Sequence, residues 1–363
     1  MSGERGSDVC VRAAALSAAL AMLALASSLG AEPAAKSPSL SFEQRLELTR
    51  RLGELSGAQP ACDEWFAAAE RVLGFGEAGR AELLRRVEVK LRSRMRAYGQ
   101  AFVAAGRCVR DAQLAKAREA AGMTRLQLEE DTRRDRGIVL GLRSGKTTKQ
   151  SLREQATPAV GRLAKLLLPD AAKVLATSAD LQARRERLAR LLALRDRCGG
   201  PKGAWSIEQS LSALDERCAM LAIPMDGYAR RTIEGNAALE RKLGIEEAAG
   251  IRELNRIRLL LGLAALRVDP ALCRAARDHS GDMRSRKFFS HTSPVPGKET
   301  VGKRAAAAGT RAGAENIAVG PKTGRAVIRM WSHSPGHFRN MLGGHRRVGL
   351  GRDGRRWTQM FGR

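Results

Sequence analysis

Ala275-Ala276-Arg277-Asp278-His279-Ser280, then Phe288-Phe289-Ser290-His291, Ala314-Glu315-Asn316-Ile317-Ala318 and Ser334-Pro335-Gly336-His337, form the stretch whose reading decides this chain. Histidine occurs five times in 363 residues, at His279, His291, His333, His337 and His345. All five lie beyond residue 278. Imidazole is the side chain best suited to bind a metal or move a proton near neutral pH, so a site built on it is C-terminal. Leu272, Ala275, Ala276, His279 and Met283 recur at helical spacing, which puts His279 on the inward face of its helix.

Working outward, Ile251, Leu254, Ile257 and Leu261 make a helical stripe that Gly262 ends. Asp269-Pro270 opens the next helix with an N-cap acid and a proline at the first helical position. Short strands are expected at Ala314 to Val319, Arg347 to Leu350 and Arg356 to Phe361, and Thr323 caps a helix carrying Val327, Met330 and Trp331. Helices together with short late strands imply an α+β sandwich of about 115 residues.

Residues 40–245 read differently. Ser41-Phe42-Glu43-Gln44 and Ser206-Ile207-Glu208-Gln209 are capping boxes. Leu84, Val87, Leu91, Met95, Tyr98 and Phe102 keep helical spacing, as do Leu181, Leu188, Leu191, Leu192 and Leu194. Gly199-Gly200-Pro201-Lys202-Gly203 breaks the chain between helices. The expectation is a helical region of unread function, in two pieces around Thr157-Pro158. Ser144-Gly145-Lys146-Thr147-Thr148 resembles the end of a phosphate-binding loop, but Leu140 stands where that loop needs glycine and no strand leads in, so it reads as a solvated turn.

At the N-terminus, Arg5 and Arg12 precede an apolar run from Ala13 to Ala26 that ends in Ala24-Leu25-Ala26. That is the pattern of a secretory signal peptide over 1–26, with a Pro/Ser/Ala-rich linker over 27–39, and a retained anchor as the alternative. No later stretch is apolar enough to span a membrane. Six cysteines include no Cys-x-x-Cys pair, which excludes a zinc ribbon or a thioredoxin-like centre. Proximity suggests Cys62–Cys108 and Cys198–Cys218 as pairs, with Cys273 a buried small hydrophobe. The net charge is +26, and residues 251–363 carry 23 Lys+Arg against 7 Asp+Glu. Such a field favours anionic partners, an envelope polymer or lipid headgroups among them, or serves solubility alone. No basic motif interleaved with aromatics supports nucleic-acid binding. Oligomeric state is not readable.

Leu272-x-x-Ala275-Ala276-x-x-His279-Ser280-x-Asp282-Met283, Phe289-Ser290-His291, Glu315-Asn316-Ile317-Ala318-x-Gly320, Trp331-x-x-Ser334-Pro335-Gly336-His337-x-Arg339-Asn340-Met341-Leu342 and Trp357-Thr358-Gln359-x-Phe361-Gly362 together resemble the bacterial branch of the CAP/SCP superfamily. That superfamily includes cysteine-rich secretory proteins, antigen five and the plant pathogenesis-related class one proteins. The resemblance covers 246–363 and implies a three-layer α-β-α sandwich, usually extracellular, with a cleft lined by two His and two Glu. His291 matches the first His and Glu315 the first Glu. Ser334 and Arg356 stand near the places of the other two, so half of that tetrad is missing. Bacterial-type members carry His279 and His337 instead. The implied ligand set for a divalent metal such as Zn²⁺ is therefore His279, His291, Glu315 and His337. A carboxylate among imidazoles is expected to raise the pKa of at least one of them. Without the resemblance, His279 reads as a hydrogen-bonded core histidine and Glu315 as a structural carboxylate. His333 and His345 read as surface residues.

Three functions follow. The first is an exported, non-enzymatic module binding a lipid or envelope component in the cleft. The second is a hydrolase, metal-assisted or with His291 and Glu315 as an acid–base pair. Against it, His333-Ser334-Pro335-Gly336-His337 lacks the Glu of a zincin, its Pro335 and Gly336 disfavour the helix, and no Gly-x-Ser-x-Gly elbow exists. The third is polyanion binding through the basic surface. No catalytic residue is assigned.

Overall fold

The computed structural model describes residues 40–57, 62–145, 148–201 and 203–363. The expected signal peptide and linker lie outside the described residues, as do Lys146 and Thr147. The helical region holds α1 (Phe42–Gly57), α2 (Asp63–Leu73), α3 (Gly76–Ala121), α4 (Arg125–Leu140), α5 (Thr157–Leu167), α6 (Ala171–Ala176), α7 (Ala179–Arg197), α8 (Ile207–Leu221) and α9 (Gly227–Glu240). The C-terminal part follows as α10 (Ile245–Leu260), β1 (Arg267–Val268), α11 (Pro270–Ser285), α12 (Val301–Ala307), β2 (Ala314–Val319), α13 (Gly324–Ser332), α14 (Pro335–Leu342), β3 (Arg347–Asp353) and β4 (Arg356–Gly362).

Local chemistry sets these ends. The Ser41 hydroxyl accepts from Gln44 N at 3.1 Å while Gln44 Oε1 accepts from Ser41 N at 2.9 Å, and Ser206 and Gln209 repeat the exchange. The stripe from Val87 to Phe102 belongs to α3, which runs 46 residues before Gly122 ends it in the left-handed region. The helix does not break at Thr157-Pro158. A π-turn over Leu152–Ala156 leads into α5, and Thr157 Oγ1 donates to Leu152 O at 3.0 Å. The wider turn accommodates the proline. Ser144 and Gly145 are exposed at the end of a 3₁₀ turn that follows α4, so no strand enters this turn.

The four strands order β1-β3-β4-β2, with β1 parallel to β3 and the other two pairings antiparallel. α11 covers one face of β3 and β4; α10 and α14 lie across the other, with α13 packed on both of them. The result is a three-layer α-β-α arrangement preceded by helices. Gly349 and Gly351 permit the closest approach: a Cβ on either would collide with the backbone of α11, at Leu272–Cys273 and Ala276–Arg277. Strand β3 extends three residues beyond the expected Leu350, to Asp353, where the two-residue connection Gly354-Arg355 turns the chain into β4. β1, at two residues, was too short to leave a pattern. It is held from outside the sheet: Asn236 and Asn255 side chains both donate to Leu266 O and accept from Val268 N and Leu266 N respectively.

Among the described residues two large hydrophobic clusters form most of the interior, and a small third one (Leu272, Ala275, Ala276, Ala305, Met360) lies between α11, α12 and β4. One large cluster runs from Leu55 to Ala219 and is built on α2, α3, α7 and α8. The other begins at Val139 in α4 and ends at Phe361 in β4, so apolar packing continues across the 245/246 junction. α8 serves both, sending Leu211, Leu214 and Cys218 into the first and Met220 and Leu221 into the second. The suggested disulfides do not form. Cys108 is an exposed free thiol, and Cys198 and Cys218 are buried free thiols in the helical core. Burial raises the pKa of both, and that of Cys218 reaches about 12, as befits small hydrophobes. Cys273 is buried, as expected.

Candidate functional site

Glu315 is the second residue of β2. Strand alternation turns it away from Asn316, which faces α14 and exchanges hydrogen bonds with Asn340 and Gln359. On its own face Glu315 meets Arg304, from the short helix α12. Arg304 Nη2 donates to Glu315 Oε2 at 2.6 Å and to His291 O at 3.0 Å. Arg304 Nη1 donates to Lys298 O at 2.9 Å and Glu299 O at 3.3 Å. The two side chains are only 1% and 3% exposed. One guanidinium therefore neutralises the carboxylate and also pins the loop that carries His291.

His291 Nδ1 lies 2.9 Å from Glu315 Oε1. Against a carboxylate the shared proton sits on Nδ1, so Nδ1 donates, and among the described residues no protein group bonds Nε2. The His291 side chain is 56% exposed. The arrangement is a relay from buried Arg304 through buried Glu315 to a solvent-facing imidazole. Phe289, two residues earlier, is exposed beside it in sequence.

The other two expected residues come near but do not join. His279 is fully buried on α11, and its Nε2 lies 3.2 Å from Ser290 O. A carbonyl only accepts, so Nε2 carries the proton and Nδ1 is a buried acceptor with no partner. Burial pushes the His279 pKa below its ordinary 6.5, outweighing the opposite pull of Glu315. His337 is half-buried on α14 with its ring 6.4 Å from that of Trp331. Burial also lowers its pKa, and the neighbouring His291 adds to the shift. Carboxylate stabilisation, expected to raise an imidazole pKa, thus loses to desolvation at His279, and no carboxylate opposes burial at His337. His333 is exposed, as expected, but His345 is half-buried and stacks on Phe361 with centroids 4.8 Å apart.

The four-residue set does not fit a metal ion. Both Glu315 oxygens are engaged, His279 Nε2 is committed to a carbonyl, and Arg304 already supplies the positive charge at the carboxylate. Among the described residues no group of three or more His, Cys, Asp or Glu is placed to hold an ion. Sequence reasoning missed Arg304. Its signal was indirect: a carboxylate on a strand between Ala314 and Ile317 needs a cation if it is buried.

Residues 251–358 match the family model of CAP, the cysteine-rich secretory protein family. An uncharacterized protein YkwD of Bacillus subtilis (strain 168) is 36% identical over 103 residues, 28% of this chain and 40% of the relative. An uncharacterized membrane protein YlbC of the same organism is 32% identical over 108 residues, 30% of this chain and 31% of the relative. An extracellular protein containing an SCP domain from Bacillus anthracis str. Ames shares 30% identity over 32% of this chain and 40% of its own, with a TM-score of 0.31. The chain thus spans less than half the length of the curated relatives it matches. The C-terminal part is similar to the CAP family and to these Bacillus relatives, and residues 40–250 lie outside the family match.

Proposed function

We propose that this is an exported, non-enzymatic CAP-domain protein whose cleft at His291 binds an amphiphilic component of the cell envelope. The observation that carries the reading is the relay of Arg304, Glu315 and His291, which fixes one exposed imidazole in a defined tautomer. Such a group offers a positioned ring nitrogen for a polar contact, and exposed Phe289 supplies apolar surface near it in sequence. The surplus of Lys and Arg over residues 251–363 favours an anionic ligand. Among the described residues no helix is long and apolar enough to cross a membrane. Zinc is not part of this reading, because Arg304 holds the place of the cation at Glu315.

The test is equilibrium binding of the intact protein to vesicles of phosphatidylglycerol, comparing wild type with His291→Ala and Phe289→Ala. Saturable binding weakened in both variants supports the cleft. Binding that is identical in all three and lost with salt assigns the interaction to diffuse surface charge.

The contact of His291 with Glu315 also favours a second reading, an acid–base dyad acting on water. No hydroxyl or thiol bonds the His291 ring among the described residues, so water would be the nucleophile. Turnover of an ester or peptide that His291→Ala abolishes would establish it.

A further inference from the structure

A cavity of about 440 Å³ opens where the helical region meets the C-terminal domain. Arg143, from the turn after α4, and Tyr228, at the start of α9, line it together with Arg258 of α10 and the segment Gly343 to Arg346 before β3. Three of its lining residues, Arg143, Arg258 and Arg346, are cationic; burial and Arg258 hold the pKa of the His345 imidazole below its ordinary 6.5, and no Asp or Glu lines the cavity.

Arg258 is the unusual member. It is buried, yet no carboxylate pairs with it. Its Nε donates to Ala264 O at 2.8 Å, and its Nη1 to Met341 O at 2.7 Å and Gly343 O at 3.0 Å. These carbonyls clamp the guanidinium in place but carry no charge to balance it, and among the described residues no protein group bonds Nη2. Burial, with Arg143 adding to it, lowers the Arg258 pKa to about 10. By contrast Arg304, equally buried, has Glu315. His345 is held beside Arg258 by its stack on Phe361. A buried cation left without an anion costs stability, and the cost falls when a ligand supplies the anion.

We propose that this cavity binds a phosphate group, with Arg258 Nη2 at its base and Arg143, His345 and Arg346 around it. Planar guanidinium groups match phosphate oxygens by charge-assisted hydrogen bonds, and Tyr228 adds a hydroxyl donor. Donors from this many side chains exceed what the two oxygens of a carboxylate accept. The volume suits a phosphate with a small organic substituent. Two of the lining residues, Arg143 and Tyr228, come from outside the CAP match, so the ligand would bridge the domain and the helices before it. The site shares no residue with the Arg304, Glu315 and His291 relay and does not depend on the function proposed for it.

Calorimetric titration of the full chain with inorganic phosphate tests it, at about 0.15 M salt so that exposed charges are screened. Variants Arg143→Ala and Arg346→Ala change side chains that reach solvent, so folding should survive them. The expected result is saturable binding that each substitution weakens by about tenfold, the effect of losing one charge-assisted hydrogen bond. His291→Ala should leave this binding unchanged while it impairs the cleft. Vesicles of phosphatidylglycerol separate the two sources of the group. Competition between vesicles and free phosphate identifies a lipid headgroup; phosphate binding that vesicles do not displace identifies a soluble phosphate compound. The proposal is overturned by wild type that shows no saturable phosphate binding, by variants that bind as well as wild type, or by acetate binding as tightly as phosphate.

Discussion

In the helical region Arg50, Arg125, Arg133 and Arg184 pair with acids three or four residues away on the surface of their own helices. In the C-terminal domain Arg304 reaches Glu315 on a different element with both side chains buried, and Arg258 is buried against carbonyls alone. Glu247 of α10, also buried, takes Arg277 of α11 across the layers and accepts from Arg352 N. These pairs of the first region are local and solvated, where a pair contributes little because water screens it. Charge in the second ties elements together, and removing one partner strands the other away from water. The helical region has counterparts: Asp215 receives the Tyr98 hydroxyl and Arg185 in its core, and buried Asp135 of α4 takes Arg162 of α5.

The contrast can be broken most sharply at Arg304. Replacing it with Met should destabilise the protein by about 3–5 kcal/mol in urea unfolding, because Glu315 loses its cation in a buried site. A loss near zero would place Arg304 among surface charges. Asn255→Ala should cost about 1–3 kcal/mol, since it leaves Leu266 N without its acceptor at the sheet edge. The same measurement checks it, and an unchanged midpoint would mean that water replaces the side chain.

Acidification sharpens the comparison further. His279 has a folded pKa below its ordinary 6.5, so above 6.5 both folded and unfolded forms are neutral and its contribution is fully present. As pH falls below that value the unfolded chain takes up a proton that the folded chain resists, and stability declines. His279→Gln should flatten the urea midpoint between about pH 7.5 and 5.5 relative to wild type. A parallel decline in both proteins would remove His279 from the account. At the small end, Arg125→Ala should shift stability by no more than about 0.5 kcal/mol, as for an exposed residue away from any core feature.

The same division explains what could be read without a structure. Capping boxes at Ser41 and Ser206, the N-cap Asp269 and the strand Ala314–Val319 are short-range features, and each stands where the residues put it. His291 and Glu315 were reached through a family resemblance, and the structure places them in contact. Arg304 was not legible, because nothing in its own helix marks it as different from the many exposed arginines. β1 has too few residues for a period and depends on Asn236 and Asn255, 30 and 11 positions away. Proximity in sequence misled for Cys198 and Cys218, which are both buried as thiols because the helical core has room for small apolar groups there. The continuity of the second cluster from Val139 to Phe361 is a tertiary fact with no local signature.

The central claim is that Glu315 is held by Arg304 and in turn holds His291. A double-mutant cycle of Arg304→Met, Glu315→Gln and the two combined, followed by urea unfolding at neutral pH, addresses it directly. Each single change strands a buried charge, whereas the double variant buries none. The account predicts that the double variant is more stable than the sum of the single effects allows, by at least about 2 kcal/mol. Additive effects, within about 0.5 kcal/mol, would contradict it.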